Sequence, residues 1–176
     1  MIEFTAPDFA THVVPGPMVE VGVWQGNHAE VMQKLWKPSR LILVDTWIYD
    51  PKDSLNESLM GTNAREIRGR YLEVVNRFEP DRRVVVMRMS SIEAAGLFAD
   101  DSFDLVYIDA NHDLDHVTAD LDRWAPKVRS GGWLCGHDYD LFDSVKMAVD
   151  EFTGGAGPEF VFRRTEGDVL SYAIRR

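Results

Sequence analysis

Short apolar runs alternate along the chain with stretches in which apolar residues recur at helical spacing, and this alternation sets the elements. Pro17 to Val23, with Met-Val-Glu-Val-Gly-Val inside it, reads as a strand. Asn27 followed by Glu30 resembles a capping box opening a helix that carries Val31, Met32 and Leu35 and stops at Pro38. Arg40 to Trp47 is a second strand, and a polar stretch from Ile48 to Thr62, punctuated by Pro51 and Gly61, leads to a helix from about Asn63 with Ile67, Tyr71, Val74, Val75 and Phe78 on one face. Val84 to Met89 is the third strand, and Ser90 with Glu93 opens a short helix. Phe103 to Ala110 is near-continuously apolar after Asp104, as a strand covered on both faces must be. Leu114, Val117, Leu121 and Trp124 mark the helix behind it, and Gly131-Gly132 turns into a fifth strand, Trp133 to Tyr139. Val145, Ala148, Val149 and Phe152 form the last helix face, ended by Gly154-Gly155. Glu159 to Arg164 and Val169 to Arg175 read as two strands joined by a tight Thr-Glu-Gly-Asp turn.

Five strand–helix units followed by a hairpin predict an open α/β sheet of seven strands, mostly parallel, with helices on both faces and an antiparallel strand contributed by the C-terminal hairpin. The 176 residues suffice for one well-packed domain spanning 1–176. In such a sheet the ligand crevice lies outside the carboxyl ends of the strands, at the switch in strand order. The strand-ending residues are therefore the ones to read for chemistry.

Composition narrows the partners. No run of about 18 apolar residues occurs, so no membrane span is expected, and the opening residues lack the basic start and apolar stretch of a secretory signal. The single cysteine, Cys135, excludes an internal disulfide, fits a reducing cytoplasm and reads as inert strand interior. Nineteen basic against 29 acidic residues leave a formal net charge of −10, which argues against nucleic-acid backbone binding and for a small cationic or neutral molecule. The nearest approach to a basic patch, Arg163-Arg164 with Arg175-Arg176, reads as a solvated sheet edge.

The first strand runs into Glu20-Val-Gly22-Val-Trp-Gln-Gly26, whose glycines allow a sharp turn and a close approach to a bound group beside a helix start. This is not the Gly-x-Gly-x-x-Gly of dinucleotide folds, and an acid before the first glycine suits an ammonium better than a pyrophosphate. Asp45 ends the second strand, where an acid can accept both hydroxyls of a ribose; a helix-capping or solvated aspartate is the bland alternative.

Taken in order, Glu20 to Gly26, Leu43-Val-Asp45-Thr-Trp47, Asp104-Leu-Val-Tyr-Ile-Asp109-Ala-Asn-His112, Asp120-Leu-Asp-Arg-Trp124, Gly131-Gly132 and Gly136-His137-Asp138-Tyr139 resemble the class I S-adenosylmethionine-dependent methyltransferases, which have a Rossmann-like sheet. Within them the chain is similar to the branch of sugar and small-molecule O-methyltransferases, some of which use a divalent metal. The resemblance covers residues 17 to 152, and the closing hairpin agrees with the family's last two strands. It implies methyl transfer from S-adenosylmethionine to a small molecule, with a hydroxyl oxygen the expected acceptor, and it leaves a homo-oligomer open.

The resemblance also implies roles. Glu20, Gly22 and Gly26 would form the loop at the methionine end of the cofactor. Asp45 would bind the ribose, with Thr46 and Trp47 close to the adenosine and Ser90 and Ser91 near the adenine. Asp109 would face the sulfonium methyl and the acceptor. The segment before Glu20 is short where many relatives carry a substrate cover, so Ile48 to Asn63 becomes the expected lid. In metal-dependent relatives three oxygen ligands at these strand ends hold Mg²⁺; Asp109 and Asp138 match two of the positions and His137 stands at a third. An imidazole there shifts preference toward transition metals. A hydrogen-bonded polar cluster without metal is the alternative. His112 lies where a general base would take the acceptor proton, and a solvated or capping histidine is the bland reading. His116 is expected to be exposed, and His12 and His28 belong to no constellation.

Three other functions share some of these features. A nicotinamide-dependent oxidoreductase should show a second early glycine where this chain has Trp24. A non-catalytic cofactor-binding subunit would keep the glycine turn and Asp45, and a metal-dependent hydrolase would use Asp109, His112, His137 and Asp138 without an adenosine site.

Overall fold

The computed structural model describes residues 2–48, 64–164 and 169–176, and all seven expected strands are in it. They are β2 (Pro17–Val21), β3 (Arg40–Asp45), β4 (Val84–Arg88), β5 (Phe103–Ile108), β6 (Val128–Gly136), β7 (Phe160–Arg163) and β8 (Leu170–Arg175). An eighth strand, β1 (Ile2–Thr5), was not foreseen; it pairs in parallel with β7 at the sheet edge. It runs straight into α1 (Ala6–Ala10), which opens on a capping box between Thr5 and Asp8. That box was the local signal for an element here.

The strand order is β1-β7-β8-β6-β5-β2-β3-β4, so the chain reverses its direction of travel across the sheet between β5 and β2. Among the described strands only β8 runs antiparallel to its neighbours, pairing with β6 on one side and β7 on the other. Because β8 reverses the direction once, β7 again runs with the central strands. The C-terminal end of β7 therefore lies at the same sheet edge as the ends of β2, β3, β5 and β6.

Alternation along the strands divides the core in two. Met18, Leu41, Leu43, Leu105, Tyr107, Trp133 and Cys135 face α1, α2 (Asn27–Val31, continued as a π turn over Met32–Trp36) and α3 (Ala64–Phe78). Val19, Val21, Ile42, Val44, Val106, Ile108 and Leu134 face α4 (Ser91–Ala95), α5 (Leu114–Trp124) and α6 (Asp143–Phe152). Phe9 closes the first layer at the hairpin side, stacked on Phe162 with centroids 4.5 Å apart and edge-on to Trp133 at 5.3 Å. Cys135 is buried, as expected. Among the described residues no helix is long and apolar enough to cross a membrane.

Local chemistry explains most boundaries. Ser90 and Glu93 form the expected capping box at the start of α4. Gly154 and Gly155 both have positive φ, and their amides return to the carbonyls of Glu151 and Asp150, a Schellman ending for α6. The capping box expected at Asn27 and Glu30 does not form. Gly26, left-handed with φ 78°, takes the N-cap position of α2 without a side-chain cap, and Asn27 and Glu30 turn instead toward Arg77 of α3. The expected lid lies outside the described residues from position 49 onward, as does the Thr-Glu-Gly-Asp turn at 165–168.

Gly22 and Gly69 mark the two extremes of glycine use. Gly22 has φ +87°, and a Cβ on it would sit 1.9 Å from the Asp109 carbonyl oxygen, whereas a Cβ on Gly69 in α3 would meet nothing within 4 Å. In urea denaturation Gly22→Ala is expected to cost more than about 3 kcal/mol or prevent folding. Gly69→Ala is expected to add about 0.5–1 kcal/mol by removing backbone freedom from the unfolded chain.

Candidate active site

The site is built where β2 and β5 end side by side. The Asp109 amide donates to the Val21 carbonyl at 2.7 Å, and the Gly22 amide to the Val44 carbonyl at 2.8 Å, so the turn after β2 is pinned to both neighbouring strands. The glycine at position 22 is needed for this backbone-to-backbone approach, a requirement of the chain on itself.

Asp45, ending β3, stands beside that turn with its carboxylate in use. Oδ2 accepts from the Val23 and Trp24 amides, both at 2.9 Å, and Oδ1 accepts from the Trp47 amide at 2.8 Å. Trp24 and Trp47 both have positive φ, 52° and 42°, and the carboxylate holds these two unfavourable bends in place. Trp47 is buried, its indole Nε1 donating to the Trp24 carbonyl at 2.9 Å and its ring packed on Tyr71. Thr46 lies at the half-buried start of the following turn, its carbonyl accepting from Arg88 Nε at 3.1 Å. Of the pair placed near the adenine, Ser90 caps α4, and the Ser91 hydroxyl is spent between Asp120 Oδ1 (2.5 Å) and Trp124 Nε1 (2.8 Å).

Glu20 points into the first core layer and is 1 % exposed. Its Oε1 lies 3.4 Å from His28 Nδ1 without hydrogen-bond geometry, and Oε2 has no partner. Burial, then the charge of Asp109, raise its carboxyl well above the usual range, while Arg164 opposes them. His28, expected to stand apart, is tucked against Tyr107 with ring centroids 3.9 Å apart. Burial and then Arg164 hold His28 well below the usual imidazole range, so it is neutral. A buried carboxyl with an unused oxygen is the feature here that fits an amino-acid ammonium.

The ends of β5 and β6 bring together Asp109, His112, His137 and Asp138, as the sequence predicts. His112 Nε2 lies 2.7 Å from Asp138 Oδ2, its ring stacks on Phe142, and its carbonyl accepts from the Ser144 hydroxyl at 2.5 Å. Asp138 holds a left-handed backbone (φ 63°) that aims its other oxygen at His137 Nδ1, 3.1 Å away. Burial opposes ionisation of Asp138, but the hydrogen bonds to His112 and His137 prevail and keep its carboxyl well below the usual range. His116 is exposed, as expected.

Arg164 is the residue that sequence reading misassigns. Far from a solvated edge, its side chain is 20 % exposed and reaches inward from the end of β7. One guanidinium nitrogen sits 3.0 Å from Asp109 Oδ2 and another 3.2 Å from His137 Nδ1. Burial raises the Asp109 carboxyl, and Arg164 is the main force pulling it back. The doublet Arg163-Arg164 carried no signal for this. Only the direction of β7 brings it here.

The profile described as "Methyltransferase domain" matches residues 19–139, the span that holds the glycine turn after β2, the acid ending β3 and the polar cluster closing β5 and β6. The chain belongs to that family. It is a class I S-adenosylmethionine-dependent methyltransferase. Solved structures agree on the fold. The O-methyltransferase NovP superposes with a TM-score of 0.63 at 19% identity over 97% of this chain and 78% of its own. A putative rRNA-methylase from Clostridium thermocellum gives 0.63 at 14% identity over 99% and 98% of the two chains. Fibrillarin from Aeropyrum pernix, with natively bound S-adenosyl-L-methionine, gives 0.61 at 13% identity over 92% and 67%. Among curated proteins none matches the sequence.

Two measurements probe this candidate site without turnover. Asp45→Ala strips the acceptor from three backbone amides and is expected to destabilise the ligand-free chain by about 3 kcal/mol or more in urea. Glu20 has a raised folded pKa, so its contribution is present below the unfolded value of 4.5 and is lost as pH rises. Glu20→Gln should therefore melt higher than wild type near pH ~8, with the advantage shrinking toward pH ~5; a pH-independent difference would contradict the assignment.

Proposed function

We propose that this methyltransferase moves the methyl group of S-adenosylmethionine to a hydroxyl oxygen of a small molecule, with His112 as the base that takes the acceptor proton. The observation that carries this reading is the His112–Asp138 pair at 2.7 Å, set at the same sheet edge as Asp109. When bound, S-adenosylmethionine supplies an electrophilic methyl on a sulfonium. The chain has to bind it, align an acceptor oxygen, and dispose of one proton.

Glu20, Gly22 and Gly26 are the residues we assign to the methionine end. The unpartnered Glu20 oxygen supports this, because an ammonium brought to it would compensate a buried acid. Asp45 is assigned to the ribose side, with Thr46, Trp47, Ser90 and Ser91 around the adenosine. Asp45's three backbone bonds make it first the support of the turn. A hydroxyl would have to use the capacity left on Oδ1, Trp47 would act from a buried position and Ser91 from a half-buried one. Asp109 is assigned to the face that meets the methyl and the acceptor.

His112 takes the proton, and Asp138 stabilises the imidazolium at Nε2; the stack on Phe142 and the Ser144 bond fix the ring and its backbone. Alignment contributes up to roughly 7–11 kcal/mol to reactions of this kind, against about 10²–10⁴-fold for a placed base. The formal charge of −10 supports a neutral or cationic small acceptor over a phosphate backbone. Asp109, His137 and Asp138 have donor atoms within 4.8 Å of one another and are the residues that would hold a divalent ion. Arg164 already engages Asp109 Oδ2 and His137 Nδ1, and His112 engages Asp138 Oδ2, so a cation and its hydrogen bonds occupy the place of an ion; the arrangement does not fit one and no step is routed through it.

S-adenosylhomocysteine should raise the melting temperature and NAD should not. His112→Asn should keep that shift while lowering kcat by about 10²–10⁴. Loss of the shift in His112→Asn, or undiminished turnover, would overturn the role given to His112.

A further inference from the structure

The place a divalent ion would take between β5 and β6 is filled by a side chain that follows β7, two strands away from β6. We propose that Arg164 is the resident cation of this site, standing between Asp109 and His137 in place of a metal and making the enzyme's charge balance independent of divalent ions. The inference rests on the reading of this edge as the methyl-transfer site, but it concerns the residues that hold charge there.

Four observations converge. One guanidinium carries two nitrogens to two of the three donors, 3.0 Å to Asp109 Oδ2 and 3.2 Å to His137 Nδ1. The third donor, Asp138, spends Oδ2 on His112 and turns Oδ1 to His137. The His137 ring leaves no choice at Nδ1. That nitrogen either carries a proton directed at Asp138 or accepts from Arg164, and in both cases its lone pair is withheld from an ion. Finally, the guanidinium is charged at every physiological pH, so it cannot step aside by deprotonation. An ion could enter only by expelling the arginine, because two cations at hydrogen-bond range from the same oxygen repel strongly in a half-buried site.

The backbone explains why an arginine can do this. Arg164 directly follows β7, and β7 runs with the central strands because β8 is antiparallel to both its neighbours. The hairpin therefore delivers a long, forked cation to the carboxyl edge, where Asp109 and His137 emerge. In this arrangement Arg164 is a positioning residue. It fixes the Asp109 carboxylate and the His137 ring, leaving Asp138 to serve His112.

The test is Mn²⁺ binding, followed by loss of the free-ion electron paramagnetic resonance signal as the folded enzyme is titrated. Wild type is expected to leave Mn²⁺ free. Arg164→Met should bind it at least about tenfold more tightly, and adding Asp109→Asn should abolish that gain. Arg164→Lys, which keeps one charge but loses the fork, is the second variant, with a smaller gain in the same direction. The melting shift with S-adenosylhomocysteine is recorded on every variant. It reports folding and cofactor binding separately, so its loss in wild type would strike the methyltransferase site and leave the ion titration to be judged by itself. Tight Mn²⁺ uptake by wild type, or variants that keep the shift yet gain no Mn²⁺ affinity, would overturn the proposal.

Discussion

The whole edge depends on one close approach. The backbone leaving β2 at Gly22 passes against the backbone leaving β5 at Asp109, so near that a single methyl group at position 22 would overlap the Asp109 carbonyl. Parallel strands end at the same side of a sheet, but nothing general obliges two of them to touch there. In this chain the contact makes the switch point a fixed corner, with the Asp109 amide bonded to β2 and the Gly22 amide bonded to β3. Glu20 and Asp109 then keep a set separation, and Asp45 can reach the amides of the turn from the neighbouring strand.

Around that corner the protein arranges charge in compensated groups. Asp138 is matched by His112, and Asp109 by Arg164. Glu20 is the exception, buried beside a neutral imidazole with one oxygen unpartnered. An uncompensated acid in a core layer lowers stability, and such costs persist where a ligand relieves them. The acid that lacks a cation and the acids that have one thus divide the site into a part that waits for a positive group and a part that already has its own. The division lies across the β2–β5 boundary, which is also where the sheet's connectivity reverses.

Support for the turn falls to the same strand-ending residues. Asp45 looks from its place in the chain like a ligand for hydroxyl groups, and its first duty is to bind three amides whose residues include two left-handed tryptophans. Asp120 and Trp124 of α5 are likewise joined through the Ser91 hydroxyl, tying α4 to α5 on the far face. Side chains at strand ends are drawn into supporting the backbone because the sheet supplies no further hydrogen bonds beyond its last pair.

Local pattern was enough for the seven strands and the helices between them, because each rests on periodicity; the grouping of Asp109, His112, His137 and Asp138 followed from the family resemblance, which sets the fourth and fifth strands side by side. The failures share one cause. Arg164 reads as surface in the doublet Arg163-Arg164, and His28 as an isolated histidine; their neighbours Asp109, His137, Glu20 and Tyr107 come from other strands, brought near by topology alone. The missed β1 needed β7 as a partner, and the capping box expected at Asn27 lost to Gly26 and to Arg77 of a distant helix. Periodicity records which face of an element is buried. It does not record what lies opposite, and charge pairing is decided by what lies opposite.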